Sequence, residues 1–177
     1  LLDQNYSKID NRYNGLVPDK CIQLLGPEYA ILRPQFREAR GGLRKRGGGV
    51  NRILVFMGGA DPKNVTSKVL RAIHMLDRPD IAIDVVIGNL SPYHDEIKTL
   101  ASKVSNINCH HNVENMANLM LSADLCIGAG GTTTWERCCV GLPTIAIILA
   151  ENQKGISESL DKEGALINLG WYHNVTE

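Results

Sequence analysis

From Val50 onward, short apolar runs alternate with amphipathic stretches across connections of only a few residues, and no other feature restricts the fold as much. Arg52 to Met57 is a run closed by Gly58-Gly59, and its length and β-branched content predict a buried strand. Asp61-Pro62 then predicts a helix start, with Val65, Val69, Leu70, Ile73 and Leu76 forming its apolar stripe. The pattern repeats: a strand over Ile81–Ile87, a polar helix from Tyr93 to about Val104, and a weak strand over Ile107–Cys109. A helix over Val113–Leu121 turns Met116, Leu119 and Met120 inward, and a strand over Asp124–Gly128 follows. Next come a helix over Thr132–Val140, a stop at Gly141-Leu142-Pro143 and a strand over Thr144–Leu149. A last helix over Gln153–Glu163 and an edge strand over Ala165–Ile167 complete the series. Such alternation predicts an α/β, Rossmann-like parallel sheet with helices on both faces. Ligands of such sheets bind beyond the carboxyl ends of the strands.

The first third differs. Residues 1 to 38 are turn-rich, and residues 39 to 50 hold a Gly/Arg-rich stretch, Arg40 to Gly49, that predicts an exposed connector with a solvated basic cluster. The regular domain is expected over 51–177. Leu1 in place of an initiator Met predicts a chain that begins upstream.

Nineteen basic residues balance nineteen acidic ones, which argues against a broad nucleic-acid face. The longest apolar stretch, Thr144 to Ala150, is far short of the ~20 residues a bilayer span needs, so no transmembrane segment is expected. Cys21, Cys109, Cys126, Cys138 and Cys139 are odd in number and lack a CxxC pair, which fits small buried thiols in a reducing, cytoplasmic setting. Cys109-His110-His111 looks metal-like, but adjacent strand residues face opposite ways and no second cluster completes zinc spacing; no metal is expected. His74, His94 and His173 read as surface residues.

The richest chemistry lies in Gly128-Ala129-Gly130-Gly131-Thr132-Thr133-Thr134-Trp135-Glu136. Glycines after a strand let backbone amides approach a phosphate, and a helix start adds unpaired N–H groups. Glu136 stands at the same sheet edge, where its two oxygens could accept both hydroxyls of a ribose. The plain structural reading, a strand-to-helix turn using Gly and Thr for geometry and capping, stays open beside it. Gly58-Gly59 before a capped helix offers another anion site, with Lys63 on the surface nearby. Glu151-Asn152-Gln153 follows the fifth strand, where Asn152 and Gln153 could read sugar hydroxyls or Asn152 could serve as an N-cap.

These residues carry a resemblance. Asn112-Val113-Glu114-Asn115-Met116, Ser122 to Ile127, Gly128-Ala129-Gly130-Gly131-Thr132, Glu136, Gly141-Leu142-Pro143 and Gln153 occur in the order found in the C-terminal domain of MurG-like glycosyltransferases of the GT-B fold. Leu2-Asp3-Gln4-Asn5, the stretch Leu24 to Phe36, Met57 to Asn64 and Glu151-Asn152-Gln153 resemble more closely the UDP-2,4-diacetamido-2,4,6-trideoxy-β-L-altropyranose hydrolases of the PseG and spore-coat SpsG group. The resemblance implies a UDP-sugar or UDP ligand and no cofactor. It implies uracil held by the backbone around Val113, the diphosphate by Gly130, Gly131, Thr132 and Thr133, and the ribose by Glu136. Gly58 and Gly59 would face the phosphates or the sugar, with Asn152 at the reacting centre and Gln153 beside it. In that group water displaces UDP without a metal, and the general acid/base is a histidine of an N-terminal domain, of which residues 1 to 38 would be the last segment and the crossing into the second domain. A transferase acting on another hydroxyl, or a nucleotide-binding domain without catalysis, would present the same features.

Overall fold

The computed structural model describes residues 1–7, 9, 11–43 and 45–176. Two short strands, β1 (Leu2–Asp3) and β2 (Leu24–Leu25), pair in parallel near the start, followed by a 3-10 turn at Pro27–Tyr29 and helix α1 (Pro34–Arg40). The alternating region then runs β3 (Arg52–Phe56), α2 (Val65–Met75), β4 (Ala82–Val86), α3 (His94–Ala101), β5 (Ile107–His110) and α4 (Met116–Ser122). It continues with β6 (Leu125–Ala129), α5 (Thr133–Cys139), β7 (Thr144–Ile148), α6 (Glu151–Lys162) and β8 (Ile167–Trp171).

The six later strands form one parallel sheet in the order β5-β4-β3-β6-β7-β8. This is the doubly wound arrangement, and the direction of winding reverses between β3 and β6, where such sheets open a crevice at their carboxyl edge. The strands are apolar because helices cover both faces. Val65, Val69, Leu70 and Ile73 of α2 and Ile97 of α3 pack with Ile53, Val55, Ile83 and Val85 on one face. On the other, Phe36 of α1 and Met116, Ala117 and Met120 of α4 meet Leu54, Val86 and Cys126. Trp135 of α5 and Leu160 of α6 close over Ala146.

The expected elements are present with shifted ends. The start expected at Asp61-Pro62 is a turn: Asp61 is buried and accepts hydrogen bonds from the Val65 and Thr66 amides at 2.9 Å each, so α2 begins at Val65. Helix α6 starts at Glu151 rather than Gln153, and the edge strand lies at Ile167–Trp171 rather than Ala165–Ile167. Leu119 is only half-buried, unlike Met116 and Met120.

The Gly/Arg-rich stretch is not simply solvated. The Arg46 guanidinium donates to the carbonyls of Met120, Leu121, Ala123, Val140 and Gly141, at 2.8 to 3.3 Å. These are the orphan carbonyls at the ends of α4 and α5, and a cation there also meets the negative ends of both helix dipoles. Of the thiols, all unpaired, Cys126 is buried as expected, whereas Cys138 is exposed because it lies on the outer side of α5.

Candidate functional site

A cleft of about 530 Å³ opens at the carboxyl edge of the sheet, at the winding reversal. Phe56 and Gly59 line it from β3, Val86 and Gly88 from β4, Val113 and Met116 from the segment after β5, and Thr133 and Glu136 from α5. Four of the expected residues, Gly59, Val113, Thr133 and Glu136, therefore share one cavity although up to 77 positions separate them in the chain. A larger concavity of about 680 Å³ lies at the opposite, amino-terminal ends of β6, β7 and β8 and contains none of them. Its lining is mostly apolar, and the topology places ligand chemistry at the other edge.

The turn after β6 divides in two. The Gly130 amide already donates to the Ile147 carbonyl at 3.3 Å, so it is spent on the sheet. A side chain on Gly130 would collide with the Ser157 hydroxyl of α6, which makes glycine a packing requirement here. Among the described residues, the amides of Gly131, Thr132 and Thr133 have no protein acceptor. These three are the open donors of the turn, and an anion suits them.

Glu136 lies close by with its side chain 12 % exposed. Its Oε2 is buried and has no protein partner, a costly arrangement for a carboxylate oxygen unless a ligand donates to it. Its Oε1 accepts from Nε and Nη2 of Arg33 at 3.2 and 3.0 Å. The expectation that both oxygens stand open to a diol is thus corrected: one is held by arginine. Arg33 lines the same cleft and was missed by sequence reasoning, because its only signal was a place next to Pro34.

The Gly58-Gly59 turn reaches the cleft, but the anion site expected at the helix beyond it is closed. Asp61 puts its own carboxylate on the Val65 and Thr66 amides, the first two of α2, where a phosphate would otherwise sit. Gly58 adopts φ of +87°, which favours glycine, and the Gly59 carbonyl accepts from the Leu90 amide at 2.9 Å. Lys63 is exposed and sits over the Tyr172 ring.

Asn152 and Gln153 belong to the first turn of α6, next to the Gly-rich turn. The N-cap position falls to Ala150, not Asn152. Asn152 is exposed and, among the described residues, has no protein partner. Gln153 folds back: its Oε1 accepts from the Leu149 amide at 2.9 Å, and its Nε2 lies beside Gly131.

The histidines at the cleft's flank are more embedded than expected. His94 is half-buried and stacks on His111, with ring centroids 4.9 Å apart, and its Nε2 lies 3.1 Å from the Gly88 carbonyl. Burial, with Lys98, His94 and His110 nearby, pushes the His111 imidazole below its ordinary pKa. His110, one residue beyond the strand expected over Ile107–Cys109, ends β5 and places Nε2 2.7 Å from the buried Asp84, which also pairs with Arg52 at 2.7 Å. No group of three potential metal ligands occurs among the described residues. No helix among them is long and apolar enough to cross a membrane.

Residues 52–173 match the Glycosyltransferase family 28 C-terminal domain. The chain belongs to this family, a nucleotide-sugar-binding domain of GT-B architecture. Among curated relatives, the spore coat polysaccharide biosynthesis protein SpsG of Bacillus subtilis is 34% identical over 146 residues, covering 82% of this chain and 43% of that protein. The UDP-2,4-diacetamido-2,4,6-trideoxy-beta-L-altropyranose hydrolase of Campylobacter jejuni is 29% identical over 166 residues, covering 93% of this chain and 57% of that protein. The chain thus spans about half the length of these two relatives. The crystal structure of Acinetobacter baumannii MurG superposes with a TM-score of 0.59 at 18% identity, covering 80% of this chain and 41% of that one. That likeness establishes the shared fold, the GT-B C-terminal domain expected from sequence.

Proposed function

We propose that this chain is the UDP-binding half of a nucleotide-sugar hydrolase, which releases UDP from a UDP-linked diacetamido-trideoxy sugar for surface polysaccharide or pseudaminic-type acid synthesis. The single observation that carries the reading is the cleft at the winding reversal, where Glu136, with one unpartnered carboxylate oxygen, shares the lining with Thr133, the last residue of a turn with three open amides. The likeness to the C. jejuni hydrolase, whose name gives a UDP-linked diacetamido-trideoxy sugar, and to the polysaccharide-biosynthesis protein SpsG supports this substrate class.

In this reading the uracil lies along the backbone at Val113, Glu136 accepts from the ribose, and the diphosphate meets the amides of Gly131, Thr132 and Thr133. Gly130 shapes the turn, and Gly58-Gly59 forms the opposite lip. Water attacks the anomeric carbon as the bond to the phosphate oxygen breaks. The new hydroxyl loses its proton to a base, and UDP carries away the bonding pair. Amides that meet the growing negative charge stabilise it without a metal, a single preorganised donor being worth ~3–4 kcal/mol. Asn152, exposed and unpartnered in the first turn of α6, orients the sugar at the reacting centre in this reading, and Gln153 steadies the turn beside it. The general acid/base, worth ~10²–10⁴ in rate, belongs to a histidine of a preceding domain, with residues 1 to 38 as its last segment and the crossing into this one. The chain alone therefore binds UDP and turns over little. Five unpaired thiols accord with a cytoplasmic setting.

A second reading has its own support: the family is a glycosyltransferase family, and a UDP-N-acetylglucosamine transferase of Acetivibrio thermocellus is 27% identical over 122 residues. There a hydroxyl acceptor replaces water, and the donor half works the same way. A binding domain without catalysis remains the third.

Calorimetric titration with UDP and with pyrophosphate tests the site. Glu136→Ala is expected to weaken UDP about tenfold or more, as loss of hydrogen bonds to a charged acceptor does, and to leave pyrophosphate nearly unchanged. Equal losses for the two ligands reject the ribose role.

A further inference from the structure

Arg137 follows Glu136 on α5, yet it points the other way and is only 1 % exposed. Among the described residues it forms no ion pair. A buried guanidinium without a counter-charge is costly, and proteins retain one where something else compensates it. Its hydrogen bonds have a definite pattern. One nitrogen, Nη2, donates to the Ala129 carbonyl at 2.8 Å and to the Thr134 hydroxyl at 2.9 Å. Ala129 and Thr134 are the residues immediately before and after the Gly130–Thr133 turn, so a single nitrogen ties both ends of that turn together. Nη1 reaches only the Cys126 sulfur at 4.0 Å, and Nε is buried without a partner. Gly128 makes room for the group, since a side chain there would collide with Nη1.

We propose that Arg137 is a positioning residue of the phosphate subsite: from beneath, it sets the shape of the Gly130–Thr133 turn, and an anion seated on that turn compensates its charge. The inference rests on the UDP reading above and adds a residue to it. Arg137 does not touch the ligand. It acts through the backbone it clasps and through a charge poorly screened in the interior. The ligand class it favours is a di- or polyanionic phosphate, over a neutral nucleoside.

The test is titration of the 177-residue chain with UDP and with uridine, in wild type and in Arg137→Met, Arg137→Lys and Thr134→Val. Arg137→Met is expected to lose about tenfold or more in UDP affinity, the scale of a hydrogen bond to a charged group, with uridine unchanged. Arg137→Lys keeps the charge and loses the fork, so its loss is smaller. Thr134→Val removes one anchor and shifts the UDP-to-uridine ratio in the same direction. A merely structural arginine would lower both affinities in parallel or neither, and either result overturns the proposal. Should Arg137→Met fail to fold, the ratio in the other two variants decides. Absence of UDP binding in the wild type overturns the nucleotide reading itself. Wild-type binding with an unaltered ratio in the variants overturns only the role of Arg137.

Discussion

Arg33 and Glu136, 103 residues apart, meet over the cleft with two arginine N–H groups on one carboxylate oxygen. The arginine is itself held. Its guanidinium lies 5.3 Å over the Phe36 ring, and the Gln35 side-chain oxygen accepts from its Nε and Nη1. The Gln35 nitrogen in turn donates to Asn115, the N-cap of α4. With the Gln35 amide turned so that both its oxygen and its nitrogen find partners, a polar chain runs from α4 through Gln35 and Arg33 to Glu136 on α5, along one wall of the proposed nucleotide site.

Removing its central link by Arg33→Ala leaves Glu136 free to rotate. UDP affinity is expected to fall about three- to tenfold, in line with the loss of charge-assisted hydrogen bonds to one carboxylate oxygen, while the melting temperature moves little because the arginine is about half exposed and water can take its place. Arg33→Lys should not restore binding, since an ammonium cannot form the fork. Unchanged UDP affinity in calorimetry would show that Glu136 needs no orienting partner.

Arg46→Ala is expected to act oppositely, on stability and not on ligand. It strips partners from five backbone carbonyls at the ends of α4 and α5. The expected cost is about 2–4 kcal/mol, read as a lower urea midpoint with an unchanged slope. A midpoint equal to wild type would mean that water replaces the guanidinium without loss.

Gly88 packs directly against the Gly58 and Gly59 carbonyls, which leave no space for a methyl group. Because the obstacle is backbone, Gly88→Ala must displace the turn that lips the cleft. A loss of about 1–3 kcal/mol in stability, as for other overpacked sites, together with weaker UDP binding is expected. A variant that melts and binds like wild type would show that the turn yields freely.

The fold's alternation was legible because each buried strand is a local apolar run bounded by glycine or proline, as in Ile53–Met57 and Thr144–Leu149. Element ends were less so. Asp61 resembles an N-cap by composition, but whether its carboxylate reaches amides four and five residues on depends on the positive φ of Asp61 and Asn64, which no pattern announces. Glu136 and the Gly-rich turn were readable from spacing. Arg33 and Arg46 were not: their partners lie 74 to 103 positions away, and an arginine among glycines carries no local mark of what it will hold.

The lowered His111 imidazole gives a pH signature. The folded chain binds this proton more weakly than the unfolded chain, whose histidine titrates near 6.5, so the contribution is complete above that value and disappears as pH falls. Urea unfolding at about pH 8 and about pH 5.5 should therefore show a smaller acid loss for His111→Gln than for wild type. Identical losses would assign the acid sensitivity to other groups.

Phe36 has consequences for anyone dividing this protein. It is completely enclosed among α4 and α5 side chains, yet it precedes by 16 positions the first residue of the recognisable family domain. A boundary drawn where homology starts would amputate an anchor of the very body it meant to isolate, and the severed piece would expose a hydrophobic socket prone to self-association. Cloning limits here are better set by burial than by alignment.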